Sequence, residues 1–140
     1  MDGEHPALVA ARASWRCVGS RARDEWLDLL AEDVCIEDPI GVGPTNPTGR
    51  GVRGKAEAAA FWDRNLAPTE RIEFQVHESF AAGRESAHLL TLTTHFPGGT
   101  RMIVHGIFTY AVDEAGKIRA LRGYWSLAGA RIEKPVARAS

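Results

Sequence analysis

The sequence lacks an excess of charge of either sign, a long apolar run and a cysteine framework. It is 140 residues long and carries 17 basic and 18 acidic side chains, a formal net charge of -1. This balance creates no positive field that would attract nucleic acid or an anionic membrane surface. No segment approaches the roughly 20 consecutive apolar residues of a membrane span. The composition therefore predicts a protein whose partner is neither a nucleic acid nor a membrane.

Metal-binding patterns are also missing. The two cysteines, Cys17 and Cys35, have no metal-ligand spacing, and no pair among the five histidines has the spacing of a helical His-x-x-x-His. We therefore expect no metal and no cofactor, and two reduced thiols. The polar, acidic start of the chain does not resemble a secretory signal, so we expect a cytoplasmic protein.

Helical patterns fill the first half of the chain, and strand patterns fill the second. The length predicts a single domain spanning residues 1–140. Apolar spacing predicts one helix from Ala7, a second after Asp24 and a third over 55–66. A short strand at 34–37 precedes a loop rich in glycine and proline at 41–54. Four further strands are predicted between turn residues, at 71–80, 86–96, 101–112 and 117–127.

This order of elements predicts an α+β fold. The short turns between the later strands favour an antiparallel meander, because parallel neighbours need long crossovers. We expect three N-terminal helices packed on a curved, mostly antiparallel sheet, with an apolar pocket between the two layers. Such a pocket is the usual site for a small apolar ligand.

The most informative motif is Glu37-Asp38-Pro39-Ile40-Gly41, at the end of the first predicted strand. A carboxylate among apolar groups has a raised pKa, which suits a proton carrier. Pro39 restricts the backbone of the residue before it, so Asp38 is held in place. The alternative is that Asp38 only brackets a turn before proline.

Residues 7–127 resemble the ketosteroid isomerase-like, or SnoaL-like, proteins of the nuclear transport factor 2-like superfamily, whose members share a cone-shaped fold. The Glu-Asp-Pro-x-Gly motif is the narrowest part of the resemblance and points to the steroid isomerase branch. The segments that carry the resemblance are 26–34, 37–41, 106–110, 113–118 and 122–125.

The resemblance implies that Asp38 is a general base that moves a proton on a flat apolar ketone such as a steroid. In ketosteroid isomerase this base works beside a tyrosine and a protonated aspartic acid, which donate to the ketone oxygen. Ungapped counting from Asp38 puts Ser14 at the tyrosine position, and strand matching puts Gly106 at the aspartate position. With Tyr110 expected far away on a late strand, the candidate donors are Trp15, Ser14 and Tyr124.

The residues expected to line the pocket share inward positions on the predicted elements. They are Ile40, Phe61, Trp62, His88, Leu90, Val104, Gly106, Phe108 and Trp125. His88 has two interpretations, an auxiliary acid or base and a hydrogen-bonded structural histidine. Since Gly106 carries no donor, Gly106→Asp is expected to strengthen an isomerase.

Three functions are open. The first is an isomerase acting on a steroid-like ketone through Asp38, and the second is a protein that binds such a steroid- or polyketide-like ligand without turnover. The third is a cyclase, dehydratase or hydrolase of the same superfamily, and for a dehydratase His88 with Asp38 is the candidate pair. The resemblance also implies a homodimer formed through the outer face of the sheet.

Overall fold

The computed structural model describes residues 4–136 and places the helices before the long strands. The helices are α1 (Pro6–Gly19), α2 (Arg23–Asp28) and α3 (Gly54–Phe61), and α3 continues into a π-helical turn at Trp62–Leu66. The strands are β1 (Leu30–Glu37), β2 (Val52–Arg53), β3 (Arg71–Ala82), β4 (Glu85–His95), β5 (Arg101–Val112), β6 (Ile118–Tyr124) and β7 (Arg131–Glu133). A short 3-10 turn at Leu127–Gly129 precedes β7.

The sheet has the order β2-β1-β6-β5-β4-β3, and β7 pairs with β5. Strands β3 to β6 form an antiparallel meander, while β1 runs parallel to β6. The predicted α+β fold, with helices on a mostly antiparallel sheet, is confirmed. Two short strands, β2 and β7, were not expected from the sequence.

The helix α1 packs closely on the sheet because its buried face is made of small side chains. Pro6 starts the helix, and the Nδ1 atom of His5 accepts a hydrogen bond from the Ala7 amide at 3.1 Å. The buried positions of α1 are Ala7, Ala10, Ala11, Ala13, Ser14, Cys17 and Val18. Small residues let a helix approach its neighbour closely, so α1 covers the inner face of β3, β4 and β5.

The other half of the sheet is covered by α2, α3 and the π-helical turn, and it is less tightly filled. Trp26 and Trp62 pack against each other there, with ring centroids 5.3 Å apart. The long loop between β1 and β2 closes the side of this region. The space left between these helices and the sheet is the cavity described below. None of the helices in residues 4–136 has the length and apolar character needed to cross a membrane.

Candidate active site

A cavity of about 480 Å³ lies between the helices and the inner face of the sheet. Its wall is mostly apolar, with contributions from all the long strands and from α1, α2 and α3. The polar residues on its wall are Ser14, Asp38, Thr45, Arg64, Asn65, Thr69, Thr94, Thr100 and Tyr110. An apolar cavity with a few polar groups is the usual form of a small-molecule site.

Asp38 lies on the cavity wall, one residue beyond the end of β1. One of its carboxylate oxygens, Oδ1, accepts a hydrogen bond of 2.6 Å from Nε1 of Trp125. Burial raises the pKa of Asp38, and the bond from Trp125 opposes this with a smaller lowering effect. Among residues 4–136, no cation is paired with this carboxylate. Asp38 is therefore a carboxylate whose charged form is poorly stabilised.

Gly123 on β6 makes room for the Asp38 carboxylate. A Cβ atom at this position would lie 2.8 Å from Oδ1 of Asp38 and 3.0 Å from ring atoms of both Phe108 and Trp125. Any side chain at position 123 would therefore displace the carboxylate or the rings on either side of it.

The long loop after Asp38 is a fixed wall of the cavity. Asn46 is buried, and its Nδ2 atom donates to the carbonyl oxygens of Pro39 and Gly41 at 2.9 and 3.0 Å. Its Oδ1 atom accepts a hydrogen bond from the Gly51 amide at 2.9 Å. One side chain therefore joins both ends of the loop. The Thr45 hydroxyl, on the same loop, donates to the backbone carbonyl of Asp38.

Two hydroxyl groups on the cavity wall are held by two indole rings. Nε1 of Trp15 donates to the Tyr110 hydroxyl at 2.9 Å, and Nε1 of Trp26 donates to the Ser14 hydroxyl at 3.2 Å. Burial raises the pKa of Tyr110, and the nearby charge of Asp38 raises it further, although the contacts with Trp15 and Ser14 oppose this. Tyr110 is therefore a neutral phenol on the same cavity wall as Asp38.

Tyr110 was not expected at the cavity. Counting along the chain places it far from Ser14, but β5 brings its ring under α1. The signal was present in the strand alternation, because Tyr110 shares the inward face of Phe108 two residues earlier. The structure thus supplies a tyrosine hydroxyl beside Ser14 from a strand rather than from the helix.

Five of the residues predicted for the site lie on the cavity wall, and Trp15 lies directly behind it. The five are Ser14, Asp38, Phe61, Phe108 and Trp125. Trp15 acts through its hydrogen bond to Tyr110 and does not line the cavity.

Tyr124, predicted as a ligand donor, and Gly106, predicted to line the pocket, do not line the cavity. Tyr124 is 51% exposed on the outer face of the sheet, where its ring lies 5.9 Å from the Arg122 guanidinium carbon. A Cβ atom on Gly106 would lie 2.7 Å from the carbonyl oxygen of Tyr124. A side chain at position 106 would collide with backbone, so Gly106→Asp cannot supply the missing donor.

Four apolar residues predicted for the pocket also lie elsewhere. Leu90 and Val104 are fully enclosed in the core, and Trp62 packs on Trp26. The Ile40 amide donates to the Gly123 carbonyl at 3.0 Å, which anchors the loop at β6, and the Ile40 side chain is not part of the wall. Inward position on an element was therefore not enough to predict contact with the cavity.

His88 is buried behind the cavity wall and does not reach the cavity. Its Nδ1 atom lies 2.7 Å from the Ser79 hydroxyl, and its Nε2 atom lies 2.7 Å from the Ser86 hydroxyl. The rings of Trp15 and Tyr110 pack edge-on against it. Burial lowers the pKa of His88 to about 4. The structural interpretation of His88 fits this geometry, and the His88–Asp38 pair expected for a dehydratase is not formed.

The described part of the chain, residues 4–136, contains no group of three or more histidine, cysteine or acidic side chains that could hold a metal ion. At the end of the cavity that holds Asp38, the reactive groups are this carboxylate and the hydroxyls of Ser14 and Tyr110.

Comparison of the chain with known proteins identifies its family. A family model described as the SnoaL-like domain matches residues 11–121. The chain belongs to the SnoaL-like family. No curated protein is significantly similar in sequence.

Three solved structures are similar to this SnoaL-like chain over nearly their whole length. The Δ5-3-ketosteroid isomerase from Mycobacterium sp. is 46% identical, with 92% of this chain and 99% of that chain covered and a TM-score of 0.88. RV0760c from Mycobacterium tuberculosis, in complex with estradiol-17β-hemisuccinate, is 45% identical, with 91% and 99% covered and a TM-score of 0.87. A computationally designed 17-OHP binder is 42% identical, with 93% and 100% covered and a TM-score of 0.89.

Proposed function

We propose that this protein binds a flat apolar ketone such as a steroid and isomerises its double bond, with Asp38 as the general base. The observation that carries the proposal is the Asp38 carboxylate, desolvated on the wall of an apolar cavity and held by Trp125. The similarity to a mycobacterial ketosteroid isomerase supports the same reaction class.

The reaction needs no cofactor and no net uptake of protons. The Asp38 carboxylate takes the proton from the carbon between the ketone and the double bond, and the C–H electrons form a dienolate. The protonated Asp38 then returns the same proton to the far end of the dienolate, which leaves the double bond conjugated with the ketone. The carboxyl oxygen Oδ2 is free for this transfer, because Trp125 bonds to Oδ1.

We propose that Tyr110 and Ser14 stabilise the dienolate oxygen. Each hydroxyl accepts a hydrogen bond from an indole and still carries a hydrogen of its own. Neither of these hydrogens has an acceptor among the described residues, so both are available to a ligand oxygen in the cavity. Donors fixed where negative charge develops lower the barrier of such a reaction.

The test is the isomerisation of androst-5-ene-3,17-dione, followed by the absorbance of the conjugated enone. We expect Asp38→Asn to reduce the rate by about 10²- to 10⁴-fold, the usual contribution of a general base. Asp33→Asn is the matched control, since Asp33 is exposed on the same strand and does not line the cavity. A wild-type rate equal to that of Asp38→Asn would sink the isomerase proposal.

Ligand binding without turnover is the second candidate. It is favoured by the donors, because hydroxyls of Ser14 and of Tyr110 on β5 replace the tyrosine and protonated aspartic acid of ketosteroid isomerase. The similarity to a designed 17-OHP binder also favours it. Titration with testosterone, followed by tryptophan fluorescence, separates the two functions. Binding with no isomerisation would support the second candidate, and no binding would reject both. The structure gives no support to a dehydratase of the superfamily, because His88 is bonded to Ser79 and Ser86 and does not reach Asp38.

We further propose that the protein works as a cytoplasmic homodimer in lipid metabolism. Phe80, Ile107 and Tyr124 expose apolar surface on the outer face of the sheet, and Ile107 pairs directly with Tyr124. An exposed apolar patch of this kind favours association. Two unpaired thiols, Cys17 and Cys35, are compatible with a reducing compartment. Sedimentation equilibrium of the purified protein measures the association, and a monomer at micromolar concentration would contradict it.

A further inference from the structure

The cavity has two chemically different ends. Asp38 and Tyr110 mark its inner end, and Met102 lines the opposite end, eight residues before Tyr110 on β5. At about 3.3 Å per residue, these two positions on the extended strand are roughly 26 Å apart. A ketone that reaches Asp38 therefore points its far end toward the hairpin between β4 and β5.

The path of its segment places Arg64 toward this outer end. It lies in the π-helical turn after α3, is exposed and contributes to the cavity wall. The segment that follows is tied to the end of β4, because the Glu70 amide donates to the His95 carbonyl at 2.8 Å. Thr94 on β4 and Thr100 after the hairpin line the same end.

The backbone that carries Arg64 is held in place by another arginine. The Arg21 guanidinium donates to the carbonyl oxygens of Leu66, Ala67 and Thr69 at 3.0–3.1 Å. It also donates to the Thr69 hydroxyl at 3.1 Å. Arg64 is therefore an exposed side chain next to a backbone segment that Arg21 holds in place.

The positive charge of Arg64 is not neutralised by its neighbours. Asp63, the adjacent acid, is occupied by Arg23, whose Nε and an Nη atom lie 2.9 and 3.1 Å from its two carboxylate oxygens. Within residues 4–136, Arg64 makes no ion pair, and the single carboxylate on the cavity wall is Asp38 at the inner end.

We propose that Arg64 binds an anionic group at the far end of the ligand, so that the preferred ligand is a flat apolar ketone with a carboxylate-bearing tail. This inference rests on the proposed function of the cavity. The guanidinium fork matches a carboxylate, and the exposed mouth lets the charged end of the ligand stay hydrated while the ring system is buried. Asn65, beside Arg64 on the wall, adds amide hydrogens to the same end.

Two probes that differ in one charge test the proposal. Testosterone 17β-hemisuccinate carries a ketone at one end and a carboxylate at the other, and its methyl ester has nearly the same shape without the charge. We expect the wild-type protein to bind the free acid about three- to tenfold more tightly than the ester, as befits one partly exposed charge pair. The preference should decrease in 0.5 M salt, because salt screens exposed charges.

Arg64→Gln should abolish the preference for the acid and leave the affinity for the ester within twofold of wild type. Arg119→Gln is the matched control, since Arg119 is an exposed arginine on β6 that does not line the cavity. Arg64→Glu should reverse the preference, which provides a second variant with the same fold. Both affinities are measured by tryptophan fluorescence.

The outcomes separate the two proposals. Equal affinity of the wild-type protein for acid and ester, or an unchanged preference in Arg64→Gln, would overturn the role of Arg64 and leave the steroid site intact. If neither probe binds, the proposed function and the role of Arg64 are overturned together.

Discussion

Asp38 and His88 are both ionisable side chains enclosed by aromatic rings, and they differ in how completely they are hydrogen-bonded. Each ring nitrogen of His88 has a serine hydroxyl at 2.7 Å. Asp38 has one side-chain partner, Trp125, and its second carboxylate oxygen is left to the cavity. A buried polar group whose hydrogen-bonding atoms all have protein partners is part of the core. A group with one atom left without a protein partner can still bind a ligand.

Tyr110 belongs to both regions. Its ring packs edge-on against His88, with centroids 5.6 Å apart, and its hydroxyl faces the cavity near Asp38. The Tyr110 ring is therefore part of the core around His88, and its hydroxyl is part of the cavity that holds Asp38. Substitutions at these three residues should separate catalysis from stability.

Tyr110→Phe should cause a large loss of activity. Removing the hydroxyl takes away the donor to the dienolate oxygen, and we expect the isomerisation rate to fall by about 10²- to 10³-fold. The ring and its contact with His88 remain. Steady-state rates with androst-5-ene-3,17-dione measure this loss. A rate within threefold of wild type, in a variant that still binds testosterone, would assign the donor role to Ser14 alone.

His88→Ala should destabilise the fold by about 2–4 kcal/mol and leave catalysis unchanged. The substitution empties a filled core position and removes one of the two partners of the buried Ser86 hydroxyl. Urea unfolding measures the stability, and turnover per folded molecule measures the activity. His77→Ala is a control, because His77 is exposed on the outer face of β3. A large loss of turnover in folded His88→Ala would break the distinction between the two regions.

Asp38→Asn should have the smallest and opposite effect on stability, a gain of about 1 kcal/mol at pH 7. Burial raises the pKa of Asp38 in the folded protein, so its protonated form is the one that favours folding. The charged carboxylate therefore reduces stability above its folded pKa, and this cost disappears as the pH falls below the unfolded value near 3.9. Urea midpoints of variant and wild type, compared at pH 7 and pH 4, give the difference. A less stable Asn variant at pH 7 would mean that the carboxylate has a stabilising partner.

Much of the fold could be predicted from the sequence, because its signals are local. Turn residues separate the strands β3 to β6, and apolar spacing marks α1 and α2. The strand β7 was missed because three residues carry too little pattern, and its pairing depends on the distant Arg101–Ile103 segment. The π-helical turn was expected as regular helix, because helical spacing does not distinguish the two.

The candidate site was less predictable, because it depends on approach distances between elements. The Asp38 motif marked the position of a carboxylate, but linear counting could not show that Tyr110 on β5 meets Ser14 on α1. The exclusion of a side chain at Gly106 depends on a backbone carbonyl of the neighbouring strand. Neither fact has a signature within a short segment.

Gly123 has a consequence for efforts to retarget the cavity. Because a single methyl group there would press on Asp38, Phe108 and Trp125 at once, the inner end cannot be reshaped from β6 without losing the carboxylate's position. At the outer end, the Arg64 side chain is exposed and makes no contact with Asp38. A library of variants aimed at new ligands should therefore keep the residues around Asp38 constant and vary those around Arg64. Ligands with different tails can then be accommodated at the outer end of the cavity.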